Sequence, residues 1–150
     1  MDFLINLNEK KKNFLKKENF YYLSIIIIIF FLDRITKLKV ISHFNENTYY
    51  VNDYINFNLI WNIGIGFGLF STDSSIFYNL VSIIIGLVIL LLIYIFVISK
   101  TIDKLVYSLI IGGALGNFYD RLLYKAVPDF IDLHYNNFHW FTFNVADIFI

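Results

Sequence analysis

Four aspartates, Asp120, Asp129, Asp132 and Asp147, fall in residues 112–150 of this 150-residue chain, among glycines, asparagines and segments as apolar as lipid. An ionisable group at membrane depth is costly, so by default it marks a functional site. Two carboxylates that meet in such a place have a definite chemistry. They cannot both ionise easily, and one pKa is driven up. The charged one takes a proton from water while the neutral one hydrogen-bonds a carbonyl under attack. That is the acid–base pair of peptide hydrolysis by activated water, with no covalent intermediate.

The surroundings that must position these groups are those of a membrane protein. The chain is 58% hydrophobic and 16% charged, against roughly 25% charged in soluble domains. Its length fits one domain over 1–150. A formal net charge of +0 gives no argument for a nucleic-acid partner, and the lack of cysteine excludes disulfides and thiolate metal sites.

Residues 1–19 carry five lysines against three acids, then FYYLSIIIIIFFL runs to Leu32. A basic stretch before a short apolar run also describes a secretory signal peptide. Here DRITK stands where small residues would mark cleavage, and apolar residues recur at Ile35, Leu38 and Ile41. The pattern predicts a first transmembrane helix over about 20–41 with a cytoplasmic, lysine-rich start. Arg34, Lys37 and Lys39 at its other end weaken that orientation without reversing it. Asp33 and Lys37 share one helical face at i, i+4. They are either a mutual pair that lowers the cost of both charges, or a structural or substrate-facing pair in a polar cavity.

Residues 42–73 are polar and turn-rich, on the outer side. Within them YINFNLIW alternates with a period of two, which predicts a half-buried strand. The glycines at 64, 66 and 68 are followed by no Lys-Ser/Thr, so they suit close backbone approach or a bulge rather than a phosphate loop. Residues 76–98 form a 23-residue apolar span, long enough for a hydrocarbon core of about 30 Å. SKTIDK is a cytoplasmic turn, and a third helix over about 103–123 returns outward. Its Gly112 and Gly116 are spaced for close helix packing, and Asn117, Asp120 and Arg121 gather at its outer end. In the loop 125–137, DFIDLHY reads as a short extended stretch. His134 and His139 lack ligands at zinc-like spacing and read as surface or interfacial. A fourth apolar stretch, 138–150, is taken as a helix that reaches about 20 Å, short of a full span.

On this topology Asp129 and Asp147 meet on the outer side despite 18 residues of separation. Each also has a plainer reading. Asp147 lies three residues after Asn144, a good N-cap, and suits the positive end of a helix. Asp129 could be an ordinary loop acid after proline.

At these residues the chain resembles lipoprotein signal peptidase (signal peptidase II), a membrane aspartic peptidase family. Five motifs occur in the family's order: D33-R-I-T-K37, N62-I-G-I-G-F-G68, G113-A-L-G-N-F-Y-D-R121, V127-P-D-F130 and F143-N-V-A-D147. The resemblance spans roughly residues 20–150. It implies a mainly α membrane protein, a four-transmembrane-helix bundle with a small extracytoplasmic β-cradle, its fourth helix truncated at the C-terminus. It implies cleavage of diacylglyceryl-modified prolipoproteins before the lipidated cysteine, at the outer, periplasmic face of a bacterial inner membrane. Asp129 and Asp147 match the catalytic pair. Asn62, Asn117, Arg121 and Asn144 match polar residues of the substrate pocket, while Asp33, Lys37 and Asp120 match supporting positions. Arg121 is placed to meet a lipid phosphate. Neither metal nor organic cofactor is implied, and the partners are prolipoprotein substrates and membrane lipid around a monomer.

Lys125 and Phe141 replace a glycine and a proline common in the family, at loop positions where altered stiffness is expected. The family also continues further beyond the Ala-Asp motif than the three residues after Asp147 here. A presenilin-type peptidase lacks support, because Tyr119-Asp120 has no matching Gly-x-Gly-Asp. A non-enzymatic small multi-spanning membrane protein and an inactive truncated peptidase stand as alternatives.

Overall fold

The computed structural model describes residues 17–43, 48–64, 75–136 and 138–150. In chain order they form α1 (Lys17–His43), β1 (Tyr49–Asn52), β2 (Ile55–Asn62), α2 (Ser75–Ile98), α3 (Thr101–Tyr124), β3 (Val127–Tyr135), β4 (Phe138–Phe143) and a closing 3-10 turn, Ala146–Phe149. The lysines before residue 17 and the glycines at 66 and 68 lie outside the described residues.

Isoleucine runs such as those in α1 and α2 favour strands in water because β-branched side chains suit a pleated surface. In hydrocarbon every backbone polar group must find its partner within the segment, which selects helix. Tyr78–Ile98 of α2, 21 residues containing an 18-residue stretch of mean hydropathy 3.3, is long and apolar enough to cross a membrane. Its Ile83, Leu87 and Leu90 are exposed, as a lipid-facing surface requires. The helices α1 and α3, of 27 and 24 residues, have the length. Their mean hydropathy is lowered by Asp33, Arg34 and Lys37 in one and by Asp120 and Arg121 in the other, all buried.

The helix α3 packs against both α1 and α2. Small residues set how closely it approaches α1. A Cβ at Gly112 would lie 2.8 Å from Cβ of Ile29, and one at Gly116 would lie 2.5 Å from Oδ2 of Asp33. The spacing of these two glycines therefore reports a helix interface, as expected. At the far end of the bundle Tyr22, Ile26, Phe96 and Ile111 form an apolar core. There the Tyr22 hydroxyl donates to the Thr101 carbonyl at 3.0 Å, and Lys104 Nζ donates to Asn19 Oδ1 at 2.7 Å.

The four strands make one antiparallel sheet in the order β1-β2-β3-β4. Both expected extended segments are strands, YINFNLIW within β2 and its continuation and DFIDLHY within β3. The alternation of β2 is broken by an irregularity between Phe57 and Ile60, which leaves Ile60 and Trp61 exposed and turns Asn62 inward. The helix α3 ends at Lys125, in the left-handed conformation at φ 57°, and Pro128 follows within β3. Val127–Phe130 are buried where β3 contacts α1 and α3.

The expected fourth helix over 138–150 is not formed, and the fold is corrected accordingly. Phe138–Phe143 is strand β4, paired with β3 from Tyr135↔Phe138 to Ile131↔Phe143. Aromatic and β-branched residues in FHWFTF suit a strand, and β3 offers a free edge across a two-residue connection. Asn136 occupies the left-handed region there at φ 52°, which asparagine tolerates better than most residues. After Asn144 only the 3-10 turn remains.

Candidate active site

The site lies where the start of β3, the end of β2 and the 3-10 turn meet the later turns of α1 and α3. Asp129 is third in β3 and 4% exposed. Its Oδ2 accepts from Asn62 Nδ2 at 2.9 Å, and its Oδ1 accepts from Asn144 Nδ2 at 2.6 Å. Asn62 is held in turn by donation from the Gly64 amide to its Oδ1 at 2.9 Å, a local turn that asparagine side chains favour. Burial pushes the Asp129 carboxyl up to about 6, the Asn144 and Asn62 hydrogen bonds restrain the rise, and the charge of Asp147 adds to it.

Asp147 sits in the 3-10 turn. Its Oδ1 accepts from Asn117 Nδ2 at 2.8 Å and its Oδ2 from the Asn144 amide at 3.0 Å. The Asp147 amide donates back to Asn144 Oδ1 at 3.2 Å. This reciprocal pair has the form of a capping box, with the acid three residues after the cap. Asn144 therefore touches both carboxyls, one through its side chain and one through its backbone.

Beneath Asp147 lies a buried ionic cluster contributed by α1 and α3. Lys37 Nζ donates to Asp33 Oδ2 and Asn117 Oδ1, each at 2.8 Å, and is ion-paired with Asp120 Oδ2 at 2.8 Å without a hydrogen bond. Arg34 pairs with Asp120 and lies 4.8 Å from the ring centroid of Tyr119. The second oxygen of Asp33 accepts from the Ala146 amide at 3.0 Å. Gly113 lets this turn settle on α3, since a Cβ there would meet the Ala146 carbonyl oxygen at 2.5 Å.

Asp129, Asp147, Asn62, Asn117, Asn144 and Arg121 line one cavity of about 270 Å³. Its remaining walls are apolar, among them Ile85, Ile89 and Leu92 of α2 and Ile110 and Ala114 of α3. Arg121 is 5% exposed, and its Nη1 is buried without a hydrogen-bond partner. Two carboxyls facing one cavity with an apolar extension, one of them raised by burial, can activate a water against a carbonyl carried by a lipophilic molecule.

The structure brings together all nine residues singled out from the sequence. Of the plainer reading of Asp147, the Asn144 contact is present but on a short 3-10 turn in place of a helix, and the carboxyl lines the cavity as well. Asp132 is the aspartate that stands apart: its Oδ2 meets His139 Nδ1 at 2.8 Å on the β3–β4 hairpin. His139 also stacks on His134 at 5.4 Å. Sequence reasoning missed Arg34, counted there only as a charge opposing the orientation. Its signal was available in Asp33-Arg34-x-x-Lys37, where two cations follow one acid and require a second acid from another helix.

The sequence profile of the signal peptidase (SPase) II family matches residues 25–150. This chain belongs to that family. Among its relatives, the lipoprotein signal peptidase of Pelagibacter ubique (strain HTCC1062) is 51% identical over 125 residues, covering 81% of this chain and 75% of that protein. That of Blochmanniella pennsylvanica (strain BPEN) is 46% identical over 127 residues, covering 80% of this chain and 75% of the relative. Two solved chains, each described as a bacterial membrane enzyme obtained by the in meso method, are similar in fold. One, at 2.3 Å resolution, gives a TM-score of 0.70 at 28% identity and covers 86% of this chain and 79% of its own. The other, at 1.9 Å, gives 0.69 at 27% identity and covers 86% and 84%. The family's peptidases act on signal peptides, which agrees with a cavity that is polar at one end and lipid-like along the rest.

Proposed function

We propose that this chain is an aspartic endopeptidase that removes signal peptides from diacylglyceryl-modified prolipoproteins, cleaving before the lipidated cysteine. The observation that carries the reading is the pair Asp129 and Asp147, facing one cavity whose walls turn apolar along α2 and α3. Asp147, ionised, takes a proton from water as the water oxygen bonds the scissile carbonyl carbon. Asp129, the protonated partner, gives its proton to the carbonyl oxygen. The tetrahedral diol then collapses. Asp147 passes its proton to the leaving nitrogen, the C–N bond breaks, and Asp129 recovers a proton from the diol hydroxyl. Both carboxyls end as they began.

Each oxygen of the pair is held by an N–H donor, so little reorganisation is needed as charge moves. Arg121 supports the reading as a buried donor for oxygens of the substrate, including those of its lipid portion. Orientation follows from the lysines. Lys100 and Lys104 lie at the α2–α3 turn, and the site lies at the opposite end of those helices. By the positive-inside rule the turn is cytoplasmic and the site faces the outer side of the bacterial inner membrane.

The test is cleavage of a diacylglyceryl-modified prolipoprotein by the purified chain in lipid, beside Asp129→Asn and Asp147→Asn. Cleavage that both substitutions abolish, with folding retained, is the expected result. Activity that survives either one refutes the pair, and a folded but silent wild-type chain refutes the peptidase reading in favour of a non-enzymatic membrane protein.

A further inference from the structure

We infer that Lys37 is a positioning residue for the reaction: it fixes the direction of the Asn117 side chain, so that Asn117 can only donate a hydrogen bond to Asp147. The inference rests on the reading of Asp147 as the ionised partner of the pair.

An asparagine side chain has an accepting end and a donating end of nearly the same shape. Nothing in the amide itself decides which end meets a neighbour. Asn117 lies between two groups of opposite demand, Lys37 Nζ at 2.8 Å and Asp147 Oδ1 at 2.8 Å. The lysine ammonium has three donors and no acceptor. It therefore holds Oδ1 of Asn117 and turns Nδ2 towards the aspartate. Without it the amide is free to turn over and present an oxygen to the carboxylate, which only a protonated Asp147 would tolerate. Lys37 thus commits Asn117 to a charged Asp147, and by exclusion leaves the shared proton with Asp129.

Lys37 makes no contact at the cavity itself, and its charge acts on Asp129 only as the smallest of the influences there. The Lys37 side chain is fully buried, with Asp33 and Asn117 as its hydrogen-bond acceptors and Asp120 as a further ion-pair partner. It is absent from the cavity lining, whereas Asn117 and Asp147 are present. The charges around it cancel: Lys37 and Arg34 from α1 against Asp33 from α1 and Asp120 from α3. Two cluster members meet the site from below, Lys37 at Asn117 and Asp33 at the Ala146 amide, while Asp120 stands behind Lys37 and Arg34 behind Asp120. The one contact that runs from Lys37 to a carboxyl of the pair passes through Asn117.

The experiment is a double-mutant cycle on the full chain in lipid, with kcat and KM for a diacylglyceryl-modified prolipoprotein. The four proteins are wild type, Lys37→Met, Asn117→Ala and the double variant. Losing a hydrogen bond to a charged group is expected to lower kcat by about 10- to 100-fold for either single change. For Lys37→Met, KM should stay within about twofold, because Lys37 does not touch the cavity. If Lys37 acts through Asn117, the double variant is no slower than Asn117→Ala by more than about twofold. Effects that multiply overturn the inference, as does a change confined to KM, which would place Lys37 against substrate.

Lys37→Met leaves an uncompensated acid in the bundle and risks misfolding. The same cycle is therefore also run on an Asp120→Asn background, where Arg34 and Asp33 still cancel. Wild-type cleavage that depends on both Asp129 and Asp147, together with multiplicative effects, sinks this inference and spares the peptidase reading. No cleavage by folded wild type sinks both.

Discussion

Asn144→Ala is the substitution that interrogates the acid of the pair most directly. The Asn144 side chain donates to Asp129 Oδ1 at 2.6 Å, and this bond favours the ionised carboxyl. Removing it makes Asp129 hold its proton more tightly. A hydrogen bond to a charged group is worth about 1.5–3 kcal/mol, or about 1–2 pH units at roughly 1.36 kcal/mol per unit. Water entering the vacated space restores part of it, so a shift of about 1 unit is expected. In wild type kcat/KM should fall as pH rises through about 6, where Asp129 loses the proton it must donate. In Asn144→Ala that limb moves up towards about 7, on a lower plateau because the turn carrying Asp147 loses its cap. The assay is kcat/KM from acid to mildly alkaline pH with a diacylglyceryl-modified prolipoprotein. The limb belongs to the coupled pair, so wild type and variant are compared rather than assigned singly. Asn62→Ala should shift it in the same direction through the other oxygen. A limb that stays in place or moves down in both variants, folded and active, refutes burial against amide hydrogen bonding as what sets the acid.

Packing makes a second prediction by contrast between two glycines. Gly116→Ala drives a methyl to 2.5 Å from Asp33 Oδ2, which Lys37 already holds while the Ala146 amide holds Oδ1, so thermal unfolding in detergent should show a loss of about 1–3 kcal/mol together with reduced activity. At Gly86 the nearest atom is the tip of the Phe118 ring at 3.2 Å. A helix gains about 1 kcal/mol from alanine over glycine, so Gly86→Ala should leave the melting temperature nearly unchanged. The pair Asp132–His139 is the third case: His139 is exposed, and His139→Ala should change stability by less than about 1 kcal/mol and leave kcat/KM unaltered.

How far the sequence disclosed this arrangement depended on whether a residue's partner was local. Asp33 and Lys37, one turn apart, announce their own pairing, and Gly112 and Gly116 announce a close helix contact at the same spacing. Asn144 and Asp147 announce a capped turn, which is present, though on a 3-10 turn in place of a helix. The error over 138–150 came from reading apolar content where period mattered. FHWFTF is rich in aromatics but carries His139 and Thr142, and its composition together with the free edge of β3 makes it a strand. Arg34 was misjudged because its acid, Asp120, comes from another helix 86 residues away. The direct partners of Asp129, Asn62 and Asn144, come from two different strands' ends, and register across a bulged sheet is not written in either segment alone.

The choice of neighbours around the pair has a physical logic that bears on every prediction above. A lysine or arginine bonded directly to Asp129 would hold it ionised and remove the proton the reaction needs. Amides from Asn62 and Asn144 fix its position with weaker support for the charge, so burial still lifts it to about 6. The cations are kept one contact back, where Arg34 and Lys37 are matched by Asp120 and Asp33 and the cluster carries no net charge into the bundle. Lys37 touches the pair through an asparagine that passes on its orientation, and its charge is the last and smallest of the influences on Asp129. If this division is right, replacing Asn62 with lysine should do more harm than replacing it with alanine. The lysine variant would fold with Asp129 ionised, and its residual cleavage should survive only at pH well below the wild-type limb. A folded Asn62→Lys enzyme that keeps its activity at neutral pH would show that the acid is not Asp129.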